Sequence, residues 1–248
     1  MIAVKHLAHR LRSSALGRSV EPWLYRGDAV ECPCCESTFR RFAPYGVTPR
    51  RPRARCPGCG AMERHRHLWL FLRERTDLFT SRLQVLHFAP EAVFRAQLEA
   101  LPNVAYVTAD LAVGRASIRA DITKIPFADA SFDAILCNHV LEHVPDDKGA
   151  MGELLRVLRP GGWAVLQVPQ RSRMPETQED PDVTDPRERE RRFGQRDHLR
   201  QYGADYAERL AAAGFEVHAE RFGEGLPIER RERHGLKGEI IHLCRRPA

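Results

Sequence analysis

Four cysteines in this chain have the spacing of a metal site. Two residues separate Cys32 from Cys35, two separate Cys56 from Cys59, and twenty lie between the pairs. Four thiolates so arranged hold zinc tetrahedrally and leave no open coordination position, so the metal would fold the segment and do no chemistry. About 30 residues offer little core of their own, so metal binding would supply most of the folding energy. Pro33 and Pro57 follow the first cysteine of each pair and Gly60 follows the last, which suits tight knuckles. Glu36 stands where glycine would be easier, and Cys34, inside the first knuckle, is left out of the ligand set. With Cys137 and Cys244 the cysteines number seven. An odd count without a secretory leader favours metal binding in a reducing, cytoplasmic compartment over a disulfide framework.

A second stretch, ADITKIPFADASFDAILCNHVLEH from Ala120 to His143, could carry catalysis. The apolar run Ala134–Cys137, bounded by polar residues, fits a strand buried on both faces of a parallel sheet. Ligands of open α/β sheets bind beyond the carboxyl ends of the strands, which would turn Asp121, Asn138 and His139 toward a ligand. An ordinary strand-to-helix loop is the plainer alternative. His139-Val140-Leu141-Glu142-His143 also matches H-x-x-E-H, where two histidines on one helix face bind zinc and the glutamate acts as base. Here the motif directly follows a buried strand and Pro145 soon cuts the helix short, so a zinc peptidase is the disfavoured reading.

The elements that must position these residues alternate. Strands are expected at Leu83–Phe88, Val104–Thr108, Ser117–Ala120, Ala134–Cys137, Trp163–Val168, Phe215–Ala219 and Glu239–Leu243, with helices at Pro90–Ala100, Lys148–Leu158 and 204–213. Such alternation implies an α/β, doubly wound, mostly parallel seven-stranded sheet. Residues 169–203 break the rhythm with Pro, Asp, Glu and Arg, as a lid or a solvated loop would, and Phe193, His198 and Tyr202 could anchor its far end. Residues 62–76 form a helix linking the cysteine-rich segment to the sheet. The expected layout is thus a basic segment 1–25, a zinc ribbon 26–62, a linker helix 63–80 and a main domain 81–248.

Charge is uneven over the 248 residues. Residues 1–80 hold 15 Lys/Arg and 7 Asp/Glu, against 24 and 26 in the rest. Residues 1–25 could begin as a basic amphipathic helix, lying on a membrane or packed on its own domain. Arg50, Arg51, Arg53 and Arg55, then Arg64, His65, Arg66 and His67, flank the second knuckle. They read as a phosphate-binding patch or, since no aromatics interleave them, more readily as solvated surface. No apolar run approaches the roughly 18 residues of a membrane span.

Across 83–220 the chain resembles the class I S-adenosylmethionine-dependent methyltransferases, specifically the type 11 group. Asp121, Pro126-Phe127, Phe132-Asp133, Leu141-Glu142-His143 and Leu158-Arg159-Pro160-Gly161-Gly162 carry the resemblance. It implies a Rossmann-like fold and S-adenosylmethionine as cofactor, and the layout with the zinc ribbon also resembles a bacterial subgroup with a Cys-Pro-x-Cys-Gly knuckle before the catalytic domain. It also implies cofactor contacts at His87, Ala89, Glu91, Asp110, Leu111, Asp121, Ile122, Asn138 and His139. Asp110 would accept from the ribose hydroxyls and Asp121 from the adenine amino group; Ile122 would offer an apolar wall and Phe127 could pack on the purine. Glu91 would pair with the cofactor's ammonium. The first-strand turn, His87-Phe88-Ala89-Pro90-Glu91, has none of the family's glycines, so it binds by a variant geometry or activity is lost. His139 is the first candidate base and His198 the second. The favoured acceptor is a sugar or other small hydroxylated molecule. RNA, reached through the basic N-terminal region, and a zinc-ribbon binding protein with a non-catalytic domain are the alternatives.

Overall fold

The computed structural model describes residues 21–46 and 51–248. The expected N-terminal amphipathic segment, up to residue 20, and Arg50 lie outside them. The chain divides into two compact units. One comprises the N-terminal part up to Asp77 together with Arg221–Glu239; the other comprises Leu78–Glu220 and Ile240–Ala248.

The first unit is built on two antiparallel ribbons. Strand β1 (Val30–Glu31) pairs with β2 (Thr38–Phe39), and β3 (Ala43–Tyr45) with β4 (Arg51–Arg55). Cys32 and Cys35 lie on the turn between β1 and β2; Cys56 and Cys59 lie on the turn after β4. Helix α1 (Glu63–Arg75) follows. Although the sequence reads it as a linker, α1 belongs to this unit, and so does a segment read as part of the main domain. Arg66 explains why. Its side chain is fully buried and donates to the carbonyls of Ala54, Ala61, His234 and Gly235 at 2.7–3.0 Å, while lying over the Phe42 ring at 3.7 Å. His65 and His67 are buried as well. These three residues therefore form no basic surface patch.

In the second unit the strands that begin at Glu216, Ile241, Leu158, Phe132, Leu83, Val104 and Ile118 lie in that order along one sheet. The parallel strands are β5 (Leu83–Phe88), β6 (Val104–Asp110), β7 (Ile118–Arg119), β8 (Phe132–Asn138) and β9 (Leu158–Gln167). Antiparallel β13 (Ile241–Arg245) pairs with β9 and β12 (Glu216–Glu220). Helix α2 (Ala92–Glu99) follows β5, starting two residues later than expected because Glu91 takes the N-cap position. Helix α3 (Asp147–Val157) follows β8, and the Asp146 side chain caps it by accepting from the Gly149 amide. Strand β9 begins at Leu158, five residues before the expected start at Trp163. Gly162 lets the backbones meet there, since a Cβ would stand 2.8 Å from the Asp133 carbonyl oxygen.

Residues 169–203 pack instead of floating. Strands β10 (Gln178–Glu179) and β11 (Arg200–Gln201) pair, helix α4 (Pro186–Phe193) lies between them, and α5 (Tyr206–Ala212) comes after. Phe193, His198, Arg200 and Tyr202 are buried. The Arg200 guanidinium donates to the carbonyls of Leu141, Val144 and Pro145 and to the Glu179 carboxylate. Tyr202 donates to Asp147 at 2.7 Å, and Arg209 pairs with the same carboxylate at 2.9 Å. This cluster fastens the far end of the insertion to the turn after β8.

Arg200→Ala is expected to destabilise the protein by about 3–5 kcal/mol, since buried carbonyls lose their donor and Asp147 loses one of its three partners. Arg200→Lys should recover little, lacking the planar fork. Urea unfolding measures both; a loss under about 1 kcal/mol for the alanine variant would contradict the clamp.

Candidate functional site

The order of strands reverses at β5. The chain passes from β5 to β6 and β7 on one side, then returns to β8 on the other. A crevice opens beyond the carboxyl ends at such a reversal. Register decides what lines it. Phe88 pairs with Ala109 on one side and Cys137 on the other, so Ala89, Asp110 and Asn138 lie level along one edge. The Ala120 amide donates to the Asp110 carbonyl at 3.1 Å, which brings Asp121 and Ile122 to the same edge. The sequence-derived residues His87, Ala89, Glu91, Asp110, Leu111, Asp121, Ile122, Asn138 and His139 are thus gathered at the ends of four neighbouring strands.

The turn after β5 is a polar cluster. His87 is fully buried, with Nδ1 2.7 Å from the Tyr106 hydroxyl and Nε2 2.9 Å from Glu91 Oε2. The same Glu91 oxygen accepts from Asn138 Nδ2 at 3.4 Å. Glu91 therefore ties β5 to β8, a role that competes with pairing to an ammonium. Tyr106 lies inside β6, where no sequence pattern singles it out. Burial pushes its phenol upward in pKa, which keeps it neutral. Ala89 is left-handed, with φ +46°, in the backbone region that glycine adopts freely.

The two aspartates each shape their own turn. Asp110 Oδ1 accepts from the Ala112 amide at 2.7 Å, and Asp121 Oδ1 from the Thr123 amide and hydroxyl at 2.9 and 2.8 Å. The Thr123 bonds lower the Asp121 pKa and keep it ionised. Ile122 is buried, whereas Leu111 and Val113, beside Asp110, are 62% and 79% exposed. Phe127 meets Phe132 edge-on at 4.9 Å.

At the end of β8, His139 also has a left-handed φ of +55°. Its amide donates to the Gln167 carbonyl at 2.7 Å, and its Nδ1 is 3.4 Å from the Glu142 carboxylate. Leu141–His143 form one 3-10 turn. No α-helix runs through the H-x-x-E-H motif, so its histidines lack the shared helix face a zinc peptidase uses. The second candidate base, His198, is 2% exposed, with Nδ1 3.0 Å from the Phe193 carbonyl.

The cysteines converge in the first unit. Sγ of Cys32 is 3.6 Å from that of Cys59, and Sγ of Cys35 is 3.7 Å from that of Cys56. All four sulfurs lie within 4.8 Å of one another. Tetrahedral thiolates about 2.3 Å from zinc would stand about 3.8 Å apart, so the set fits the ion. Hydrogen bonding from Cys32 pulls the Cys35 and Cys56 thiols below their usual pKa. Glu36 and Gly60, each following the second cysteine of a knuckle, have φ +56° and +79°. Their amides donate to the carbonyls of Cys32 and Cys56. The two knuckles thus share one geometry, with glycine present in only one.

Sheet order, strand directions and the crevice at β5 define the Rossmann-like fold of class I methyltransferases. In agreement, residues 58–166 match the family model of a methyltransferase domain. An uncharacterized methyltransferase of Mycobacterium sp. (strain KMS) is 54% identical over 54 residues, 22% of this chain and 21% of that protein. A demethylmenaquinone methyltransferase of Renibacterium salmoninarum is 47% identical over 49 residues, 20% of this chain and 21% of that one. The matched part thus spans about a fifth of these relatives' length. The solved structure of the cyclase SpnF shares the fold at a TM-score of 0.53 and 17% identity, covering 75% of this chain and 84% of that one. A cyclisation on this fold is a reminder that architecture alone does not fix the reaction.

Ala89→Gly should stabilise the protein by up to about 1 kcal/mol. A left-handed residue with a Cβ costs about 1–2 kcal/mol, and glycine's extra entropy returns about 0.5–1. Thermal unfolding tests this; a lowered midpoint would show that the turn does not strain Ala89.

Proposed function

We propose that this chain is an S-adenosylmethionine-dependent methyltransferase acting on a small hydroxylated acceptor, such as a sugar. The observation that carries the reading is the single edge formed by Ala89, Asp110, Asp121 and Asn138 at the strand-order reversal. Asp110 accepts from the ribose hydroxyls and Asp121 from the adenine amino group. Exposed Leu111 and buried Ile122 offer apolar surface to a flat ring. When bound, the cofactor supplies a methyl group on an electrophilic sulfonium. Asn138 and His139 hold the acceptor oxygen near it, and such positioning alone contributes about 7–11 kcal/mol. His139 takes the acceptor's proton, and Glu142 stabilises the imidazolium that results.

One observation favours a second reading, a zinc-dependent binding protein whose methyltransferase-like domain is non-catalytic. The glycine-free turn engages Glu91 and Asn138 with each other, on the side where methyl transfer needs them. Calorimetry separates the two. S-adenosylmethionine and its demethylated product should bind, and Asp110→Ala should weaken binding about 10- to 150-fold, the loss of a charge-assisted hydrogen bond of about 1.5–3 kcal/mol. Absence of binding at millimolar concentration would favour the second reading.

The cysteine set would hold one structural zinc. Metal analysis after dialysis should find about one tightly held ion per chain, lost in Cys56→Ser and kept in His139→Ala. The reverse pattern would overturn the assignment.

A further inference from the structure

Among the described residues, a second group of metal-ligating side chains stands apart from the cysteines: Glu142, His143 and His198. One ligand atom of each lies within 4.8 Å of the other two. Two of the three come from the turn after β8, and His198 comes from the segment before β11. The Leu199 amide donates to the Glu142 carbonyl at 2.9 Å, which brings the segments together. The His143 and His198 rings meet edge-on at 4.9 Å.

Hydrogen bonding settles which atoms are available. His198 Nδ1 is 3.0 Å from the Phe193 carbonyl. His143 Nδ1 is 3.1 Å from the Asp197 carbonyl and 3.5 Å from its carboxylate. A carbonyl only accepts, so each Nδ1 carries the proton and each neutral ring keeps its electron pair at Nε2. Metal-ligating histidines are held in this way, with the other nitrogen donating to a carbonyl or carboxylate. Glu142 is 1% exposed and His198 2%. Glu142 Oε2 and His198 Nε2 are buried without a hydrogen-bond partner. Each such orphan costs about 1–3 kcal/mol unless something binds it. The cation buried against this turn, Arg200, donates to the carbonyls of Leu141, Val144 and Pro145 and pairs with Glu179 and Asp147. The cluster therefore presents electron pairs from two rings and a carboxylate, two of them orphaned in the interior.

We propose that Glu142, His143 and His198 form a second metal site that takes one divalent first-row transition ion, such as Mn²⁺, Fe²⁺, Co²⁺ or Zn²⁺. Two imidazoles and one carboxylate suit these ions better than Mg²⁺ or Ca²⁺, which prefer oxygen ligands. An ion at about 2.1 Å from each ligand sets them about 3–3.5 Å apart, within reach of small side-chain rotations. The His143 side chain is 34% exposed and gives the ion access. Three protein ligands leave coordination positions open, unlike the four thiolates. The set is not that of the H-x-x-E-H motif, because His198 replaces His139. Resting on the methyl-transfer reading, a role follows: an acceptor oxygen bound at an open position beside His139 would lose its proton more readily. The site itself does not depend on that reading.

The test titrates the full, zinc-loaded chain with Co²⁺ or Mn²⁺ alone, without cofactor or acceptor. One further equivalent should bind beyond the zinc, and bound Co²⁺ should lack the thiolate charge-transfer absorption of a cysteine site. Glu142→Gln and His198→Asn should each weaken this binding at least tenfold. Should these buried changes unfold the chain, the half-exposed His143→Gln should give the same loss in folded protein. No additional equivalent in the wild-type chain would overturn the proposal. So would an equivalent that every folded variant retains. Calorimetry with S-adenosylmethionine on the same samples keeps failure of this site distinct from failure of the methyltransferase reading.

Discussion

A guanidinium buried among backbone carbonyls is the constraint on which each unit rests. In the second unit, Arg200 takes up the carbonyls of Leu141, Val144 and Pro145, at and just after the one-turn 3-10 segment. That fixes the chain just after β8, where Asn138, His139, Glu142 and His143 all lie. In the first unit Arg66 does the same for the carbonyls of Ala54 and Ala61, which flank the second knuckle, and of His234 and Gly235. Arginine suits the task because it offers several donors in a rigid fork and stays charged when buried. Burying either costs desolvation, offset only because several acceptors and, for Arg200, two carboxylates surround it.

The edge of the sheet shows how a parallel fold collects polar groups without a contiguous motif. Residues 89, 110 and 138 are far apart in sequence, yet register alone sets them side by side. Local chemistry then differentiates them. Asp110 and Asp121 are held by their own turns, while Glu91 and Asn138 hold each other. The left-handed Ala89 and His139 mark the two points where the chain leaves β5 and β8 sharply. Sharp exits of this kind recur at functional sites.

Much of this was legible in the residues. The apolar runs of β5 and β8 announce buried parallel strands, and the cysteine spacing announces a tetrahedral cluster, because both signals are local. What stayed hidden was long-range. Tyr106 reads as one more strand residue until β5 brings His87 beside it. Arg66 reads as surface because basic neighbours surround it in sequence, although in space it is buried among carbonyls and against a ring. Likewise 169–203 looks like a solvated loop by composition, whereas ion pairs and five buried side chains hold it down. Glu142 and His143 were visible as a motif, but His198, the residue that completes their cluster, arrives from 55 residues further on.

The excursion of Arg221–Glu239 into the first unit has a consequence for biosynthesis. Arg66 leaves the ribosome well before its acceptors at His234 and Gly235, which follow 168 and 169 residues later. The cysteine-rich unit therefore cannot reach its final packing while the sheet domain is still being made, however early its four thiols close on a metal. Its completion waits on nearly the whole chain. A nascent or shortened chain lacking those residues would leave Nε and Nη2 of Arg66 without these acceptors in the middle of that unit.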